Sequence, residues 1–142
     1  MRDALIKIKS VQREGGSKSE TEVITAGSFR KIKSGYELRY EETEATGYEG
    51  SNTVLKILDG SRIEMTRSGA VESELYIERG RKNFCLYGTP YGEITVGVQG
   101  KGVESRMTDA GGNVSASYVI DINSSLIGDY DLEIDVSLRP QN

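Results

Sequence analysis

From Val114 to Leu138, apolar and polar residues alternate almost without a break. Val114, Ala116, Tyr118, Ile120 and Ile122 fall on one side, and Ser115, Ser117, Asp121 and Asn123 on the other. After a turn-like stretch, Ser124-Ser125-Leu126-Ile127-Gly128, the alternation resumes with Tyr130, Leu132, Ile134, Val136 and Leu138 set against Asp131, Glu133, Asp135 and Ser137. A period of two sends successive side chains to opposite faces of a strand, whereas a helix would scatter these apolar residues around its circumference. The segment reads as two strands, each with one dry face and one wet face.

The rest of the chain repeats this theme less cleanly. Ala4, Ile6 and Ile8 alternate with Leu5, Lys7 and Lys9, and a turn at Glu14-Gly15-Gly16-Ser17 leads to a second strand over about Glu20 to Lys31. Tyr36, Leu38, Tyr40 and Glu42 share a face opposite Glu37, Arg39 and Glu41, followed by a polar, glycine-containing loop near Thr43 to Gly50. A strand from Asn52 to Leu58, the hairpin signal Asp59-Gly60 and a return strand with Ile63, Met65 and Arg67 come next. Short strands at Glu74–Glu78 and Asn83–Tyr87, then Tyr91 to Val98, precede a run with Gly97, Gly100 and Gly102, which reads as bulged or coiled strand. Asp109 to Asn113 is the last turn before the C-terminal pair. No segment has a helical period. Many antiparallel strands with one dry face each must bury those faces together, and hairpin-length connections favour a meander closed on itself. The expectation is an all-β, single-domain chain over residues 1–142, a mostly up-and-down antiparallel barrel of about eight to ten strands.

Composition narrows the chemistry. The 142 residues contain no histidine and a single cysteine, Cys85. Histidine-based triads, HExxH zinc sites, cysteine zinc clusters and intramolecular disulfides are therefore excluded. No metal and no cofactor is expected. A net charge of −4 argues against nucleic acid as a partner, and the basic groups Arg30, Lys31 and Lys33, and Arg79, Arg81 and Lys82, flank predicted turns as solvated side chains. No stretch approaches a membrane-spanning length, and Met1 to Ser10 lacks the apolar centre of a signal peptide, so a cytoplasmic protein away from membranes is expected. Cys85 alternates with Phe84 and Leu86 and reads as a small core or half-buried side chain rather than a nucleophile.

Two motifs interrupt the strand pattern. Met65-Thr66-Arg67-Ser68-Gly69 carries Arg67 in register with Ile63 and Met65, so its guanidinium is expected inside the barrel or at its mouth. A charge there needs partners, and Glu42 and Tyr40 occupy the apolar register of their own strand. Arg67 then either closes one barrel end as a structural ion pair or receives the carboxylate or phosphate of a ligand. Tyr87-Gly88-Thr89-Pro90-Tyr91-Gly92 reads as a tight corner, with Tyr91 placed to cap the mouth. Arg67-Ser68-Gly69, the spacing to Gly80, and Tyr87 to Gly92, with Tyr36 to Glu42 upstream, resemble the DUF1934 or YwiB-like family of small bacterial proteins. That resemblance covers essentially the whole chain. It implies a calycin-like barrel, distantly similar to lipocalins and fatty-acid-binding proteins, in a bacterial cytoplasm. It carries no activity and no catalytic residues, and the chain, having no tryptophan, lacks the Gly-x-Trp signature of true lipocalins.

Two functions remain open from the sequence. One is a non-catalytic barrel that binds a small anionic or amphipathic ligand, with Arg67, Tyr40, Glu42, Tyr91 and Tyr118 as site residues and Tyr36, Tyr76, Tyr87 and Tyr130 as further wall candidates. The other is a structural or regulatory module, a monomer or homodimer, acting through its outer surface at a patch such as Leu5, Val11 and Ile24. Catalysis by carboxylates is the third and weakest reading. Glu42 beside an arginine would be held ionised and so make a poor general acid.

Overall fold

The computed structural model describes residues 1–44, 48–89 and 91–140. It contains ten strands: β1 (Arg2–Glu14), β2 (Ser17–Ile32), β3 (Gly35–Glu41), β4 (Ser51–Leu58), β5 (Arg62–Gly69), β6 (Ser73–Glu78), β7 (Lys82–Thr89), β8 (Gly92–Ser105), β9 (Gly111–Ile122) and β10 (Ser125–Leu138). They form one antiparallel sheet in the order β6-β5-β4-β3-β2-β1-β10-β9-β8-β7. The chain therefore meanders from strand to strand, and the ends are joined by pairing of β1 with β10, from Ala4 opposite Leu138 to Arg13 opposite Asp129. This is the expected up-and-down barrel. Among the described residues, no helix is long and apolar enough to cross a membrane.

Turn chemistry sets several strand lengths. Gly15 and Gly16 both lie in the left-handed region (φ 55° and 83°), so β1 and β2 pair right up to Glu14 opposite Ser17. The second strand thus begins three residues before the expected Glu20. Asn123 and Ser124 (φ 52° and 67°) make the β9–β10 turn, not the longer Ser124–Gly128 stretch the alternation indicated. Strand β10 instead starts at Ser125 and carries a bulge between Leu126 and Gly128. A second bulge, between Gly100 and Gly102 in β8, lies where the glycines predicted one. Of the corner at Thr89 to Gly92, Pro90 lies outside the described residues, as do residues 45–47 of the Thr43–Gly50 loop.

The ladder has one gap, between β6 and β7. There the two strands are held by side chains. The Tyr76 N–H donates to Cys85 Sγ (3.4 Å), and the Leu86 N–H donates to Glu74 Oε1 (3.2 Å). Glu74 Oε2 accepts from the Tyr76 hydroxyl at 2.7 Å, so this carboxylate is satisfied at both oxygens. At one end of the gap the Gly80 N–H reaches Gly100 O and the Gly100 N–H reaches Arg81 O. Two glycines permit this approach: a Cβ on Gly100 would lie 2.0 Å from Glu78 O, and one on Gly88 2.0 Å from Glu72 O. Cys85 is buried and its thiol is pushed up chiefly by that burial, in keeping with a core role.

The interior divides into two halves. Ala4, Ile6, Leu38, Leu55, Ile57, Ile63, Ile77, Val98, Val103, Val114 and Ile134, each at most 1% exposed, pack together at one end of the barrel. That end carries the turns at residues 33–34, 59–61 and 79–81; the opposite end carries Gly15-Gly16, the segment between β3 and β4, residues 70–72 and Asn123-Ser124. On the outer face, Glu37 departs from the expected solvated row. It is buried beneath Arg30 and Arg39, whose Nε atoms donate to Glu37 Oε2 at 2.8 and 3.0 Å. Burial by itself would raise the Glu37 pKa, but the two guanidinium groups outweigh it and hold the carboxylate below its ordinary value.

The gap gives a direct test of its glycines. Gly100→Ala forces backbone apart and is expected to cost about 1–3 kcal/mol in urea unfolding. Gly102→Ala, where an added Cβ meets nothing within 4 Å, is expected to change stability by less than about 1 kcal/mol.

Candidate functional site

The end opposite the aliphatic plug holds a cavity of about 380 Å³, within the size range of sites that take small ligands. Its wall changes character along β1: Ile8 is followed inward by Ser10, Gln12 and Glu14. Ser10, Gln12 and Glu14, with Thr21 of β2, are too polar to form a plug like that at the other end, and Val23 of β2 stands beside them. Apolar wall comes from Met65, Leu75, Ile94, Val96, Ile120, Ile122 and Leu132, and from Ile127, which stands in the β10 bulge.

Arg67, Glu42, Tyr40 and Tyr118 all line this cavity, as their strand registers predicted. Arg67 is near the end of β5 and Glu42 directly follows β3, so both sit at the open end of neighbouring hairpins. Arg67 Nε donates to Glu42 Oε1 at 3.1 Å, with only 17% of the Arg67 side chain and 1% of the Glu42 side chain exposed. Thr53 Oγ1, from the intervening strand β4, donates to the same oxygen at 2.5 Å. Glu42 Oε2 is buried and has no hydrogen-bond partner among the described residues. One face of the Arg67 guanidinium is covered by the Tyr48 ring, 4.0 Å from its centroid.

Tyr48 was not legible as a site residue because it lies in a polar loop with no periodicity. Its placement depends on the Arg67-Ser68-Gly69 motif. Gly69 has φ 114°, a Cβ there would lie 2.6 Å from Gly50 O, and the following Ala70 N–H bonds that same oxygen. The glycine thus admits the loop that carries Tyr48 over Arg67. The Tyr48 and Tyr87 hydroxyls meet at 3.3 Å. Across the cavity, Tyr118 and Tyr130 are directly opposed on β9 and β10 and stack with centroids 5.3 Å apart, and the Tyr130 hydroxyl donates to Glu14 Oε1 at 2.6 Å.

Three expected wall residues lie elsewhere. Tyr91 does not cap the mouth: it is 99% exposed and forms no part of the cavity wall, because the β7–β8 turn carries it outside. Tyr36 faces inward but at the plugged end, stacked on Phe29 with its hydroxyl donating to Asp109 at 2.8 Å. Tyr76 pairs with Glu64 on the outer register and bonds Glu74.

Four of the wall tyrosines have raised pKa values. Burial pushes Tyr118 up to about 12, and burial followed by the Tyr87 hydrogen bond pushes Tyr48 up to about 12. Tyr40 is raised by burial and then by the Glu42 charge, and Tyr130 by burial and then by its bond to Glu14. Among the described residues, the site brings the Arg67 guanidinium, carboxyl groups and tyrosine hydroxyls together around an apolar pocket.

Fold and site together define a ten-stranded meander barrel, plugged at one end and bearing a buried guanidinium–carboxylate pair at the other. The sequence pattern of DUF1934, a domain of unknown function, matches residues 6–134, and the chain belongs to that family. The fold is similar to the crystal structure of the ywiB protein from Bacillus subtilis, with a TM-score of 0.84 and 20% identity, covering 98% of this chain and 93% of that one. At that identity the likeness concerns the fold. No curated protein matches the chain.

Two outcomes follow from this geometry. Arg67→Met leaves Glu42 buried without its cation and is expected to cost about 3–5 kcal/mol in chemical unfolding, while Arg67→Met combined with Glu42→Gln recovers most of that loss. The raised tyrosine pKa values act on stability in alkali. A folded pKa above the unfolded value near 10 means that the contribution is intact below pH 10 and is lost as pH rises towards the folded value. Tyr118→Phe should therefore flatten the fall of stability between about pH 10 and 12 by about 1.4 kcal/mol per pH unit, read from unfolding curves across that range.

Proposed function

We propose that this protein binds a small amphipathic molecule in the open half of its barrel, and that it acts by binding rather than by catalysis. The observation that carries the reading is the cavity itself: about 380 Å³ with Arg67 and Glu42 in its wall. A barrel of this strand number can fill its interior with side chains, as the other half of this one does. Here the plug stops at the level of Ile8, and along β1 polar side chains follow it while apolar residues of the other strands line a cavity. A charged pair costs desolvation wherever it is buried, and in this barrel that cost falls on the cavity wall rather than in the plug. The non-catalytic reading is supported by a chain without histidine.

The alternative, a module acting through its outer surface, draws on exposed Leu5 and Ile24 on adjacent strands. Those residues flank Lys7, which pairs with Glu22 at 3.4 Å, so the expected apolar patch is broken by charge. The cavity is the stronger feature.

Uptake of the neutral fluorophore N-phenyl-1-naphthylamine tests the reading. Saturable enhancement is expected with wild-type protein and at least tenfold weaker binding with Val23→Trp, which fills the cavity from β2. Absence of saturable uptake, or equal uptake by the filled variant, overturns the proposal. Native mass spectrometry of protein purified from its own host should in addition show a retained small molecule that is absent from Val23→Trp.

A further inference from the structure

We infer that the head group this cavity selects is net neutral and presents a hydrogen-bond acceptor and a donor side by side, rather than being a simple anion. The inference rests on the binding reading above and adds the ligand's chemical class.

It follows from counting what the pair has left to offer. A guanidinium has five N–H donors. In Arg67 the Nε–H is taken by Glu42 Oε1, one face of the planar guanidinium is covered by the Tyr48 ring, and no described residue accepts from Nη1 or Nη2. A carboxylate has two oxygens, each able to accept more than one hydrogen bond. Glu42 Oε1 takes both Arg67 and Thr53, while Oε2 is buried and receives nothing from the described residues. Both residues line the same cavity. The pair therefore holds donors and a buried charged acceptor that no described residue uses, and a buried acceptor left without a donor is costly.

An alkyl carboxylate satisfies only half of this surface. It can accept from the Arg67 Nη groups, but Arg67 is already neutralised by Glu42, and the incoming charge faces Oε2 with no proton to give. Two carboxylates would then share one guanidinium, the arrangement in which like charge opposes ionisation. A lone ammonium has the reverse fault, donating to Oε2 while facing Arg67. A group with both functions satisfies both sides: the carbonyl of a primary amide, urea or lactam accepts from Arg67 while its N–H donates to Glu42. The zwitterionic head of an α-amino acid does the same with its carboxylate and ammonium. The rest of the molecule is apolar, against Met65, Val96, Ile120 and Leu132.

Displacement of N-phenyl-1-naphthylamine at pH 7 by a set with one tail length tests this: octanamide, 2-aminooctanoate, octanoate, octylamine and octanol. Octanamide or 2-aminooctanoate is expected to displace the probe at least tenfold more tightly than the other three. Which of the two leads separates the amide-like head from the zwitterion. Glu42→Gln, checked for folding by circular dichroism, leaves Arg67 as an uncompensated cation, so octanoate should gain at least tenfold and become the tightest ligand. Octanoate as the tightest ligand of wild type, octanol equal to octanamide and 2-aminooctanoate, or an unchanged ranking in Glu42→Gln each overturns the inference. If Glu42→Gln does not fold, the wild-type ranking decides. Probe uptake that none of the set displaces overturns the head-group inference alone, whereas failure of the probe itself to bind overturns the binding reading with it.

Discussion

The antiparallel ladder between β1 and β10 gives this molecule an inside. Those strands come from the two ends of the sequence and pair over ten residues, from Ala4 and Leu138 to Arg13 and Asp129. Each also carries a long ladder on its other side, to β2 and to β9. Without the β1–β10 ladder the meander would be an open, twisted sheet with one greasy face and two edges able to pair with other chains. Its formation waits on the most distant contacts in the sequence, so loop-closure entropy is spent before the interior repays it. Charge agrees with this pairing on the outside, where Lys7 faces Asp135 and Lys9 faces Glu133.

Closure is completed differently at the β6–β7 gap. There backbone ladder bonds give way to Glu74 and Cys85 reaching across, and Gly88 and Gly100 let the backbones close in. The same economy of small residues operates at the mouth, where Gly69 lets the Tyr48 loop settle over Arg67. The two motifs that interrupt the strand pattern thus act on the same end of the barrel. One supplies the cation and the contact that covers it; the other supplies Tyr87 to the wall and Gly88 to the gap.

Within that frame the interior has two solvents. At the plugged end branched aliphatic side chains meet and exclude water, which is the ordinary source of a barrel's stability. At the other end Arg67, Glu42 and five tyrosines, with Thr53 bonded to Glu42 behind them, form a polar part of the wall in which several members pair with each other. Glu42 Oε2, buried and without a partner among the described residues, is an exception. A barrel of one material would be either more stable or more open; this one keeps its stability in one half and its chemistry in the other.

Much of this was legible in the chain. Period-two alternation announced the strands, turn glycines placed most of the hairpins, and strand register alone put Arg67, Glu42 and Tyr40 on the inward face, because the side-chain period of a strand is two whatever surrounds it. The inward polar run Ser10, Gln12, Glu14 is a signal of the cavity that register also contains, since a plug needs apolar side chains at those positions. Other features had no local trace. Tyr48 sits in an aperiodic loop, Tyr91 was carried outside by its turn, and Glu37 is buried on the wet face only because two arginines fold over it. The sequence by itself determined strands, their faces and the chemistry available to them, for those follow from neighbours along the chain. Tertiary structure alone decided that the barrel is plugged at one end and hollow at the other, and that one oxygen of Glu42 has no partner among the described residues, because both depend on which side chains meet across a closed sheet.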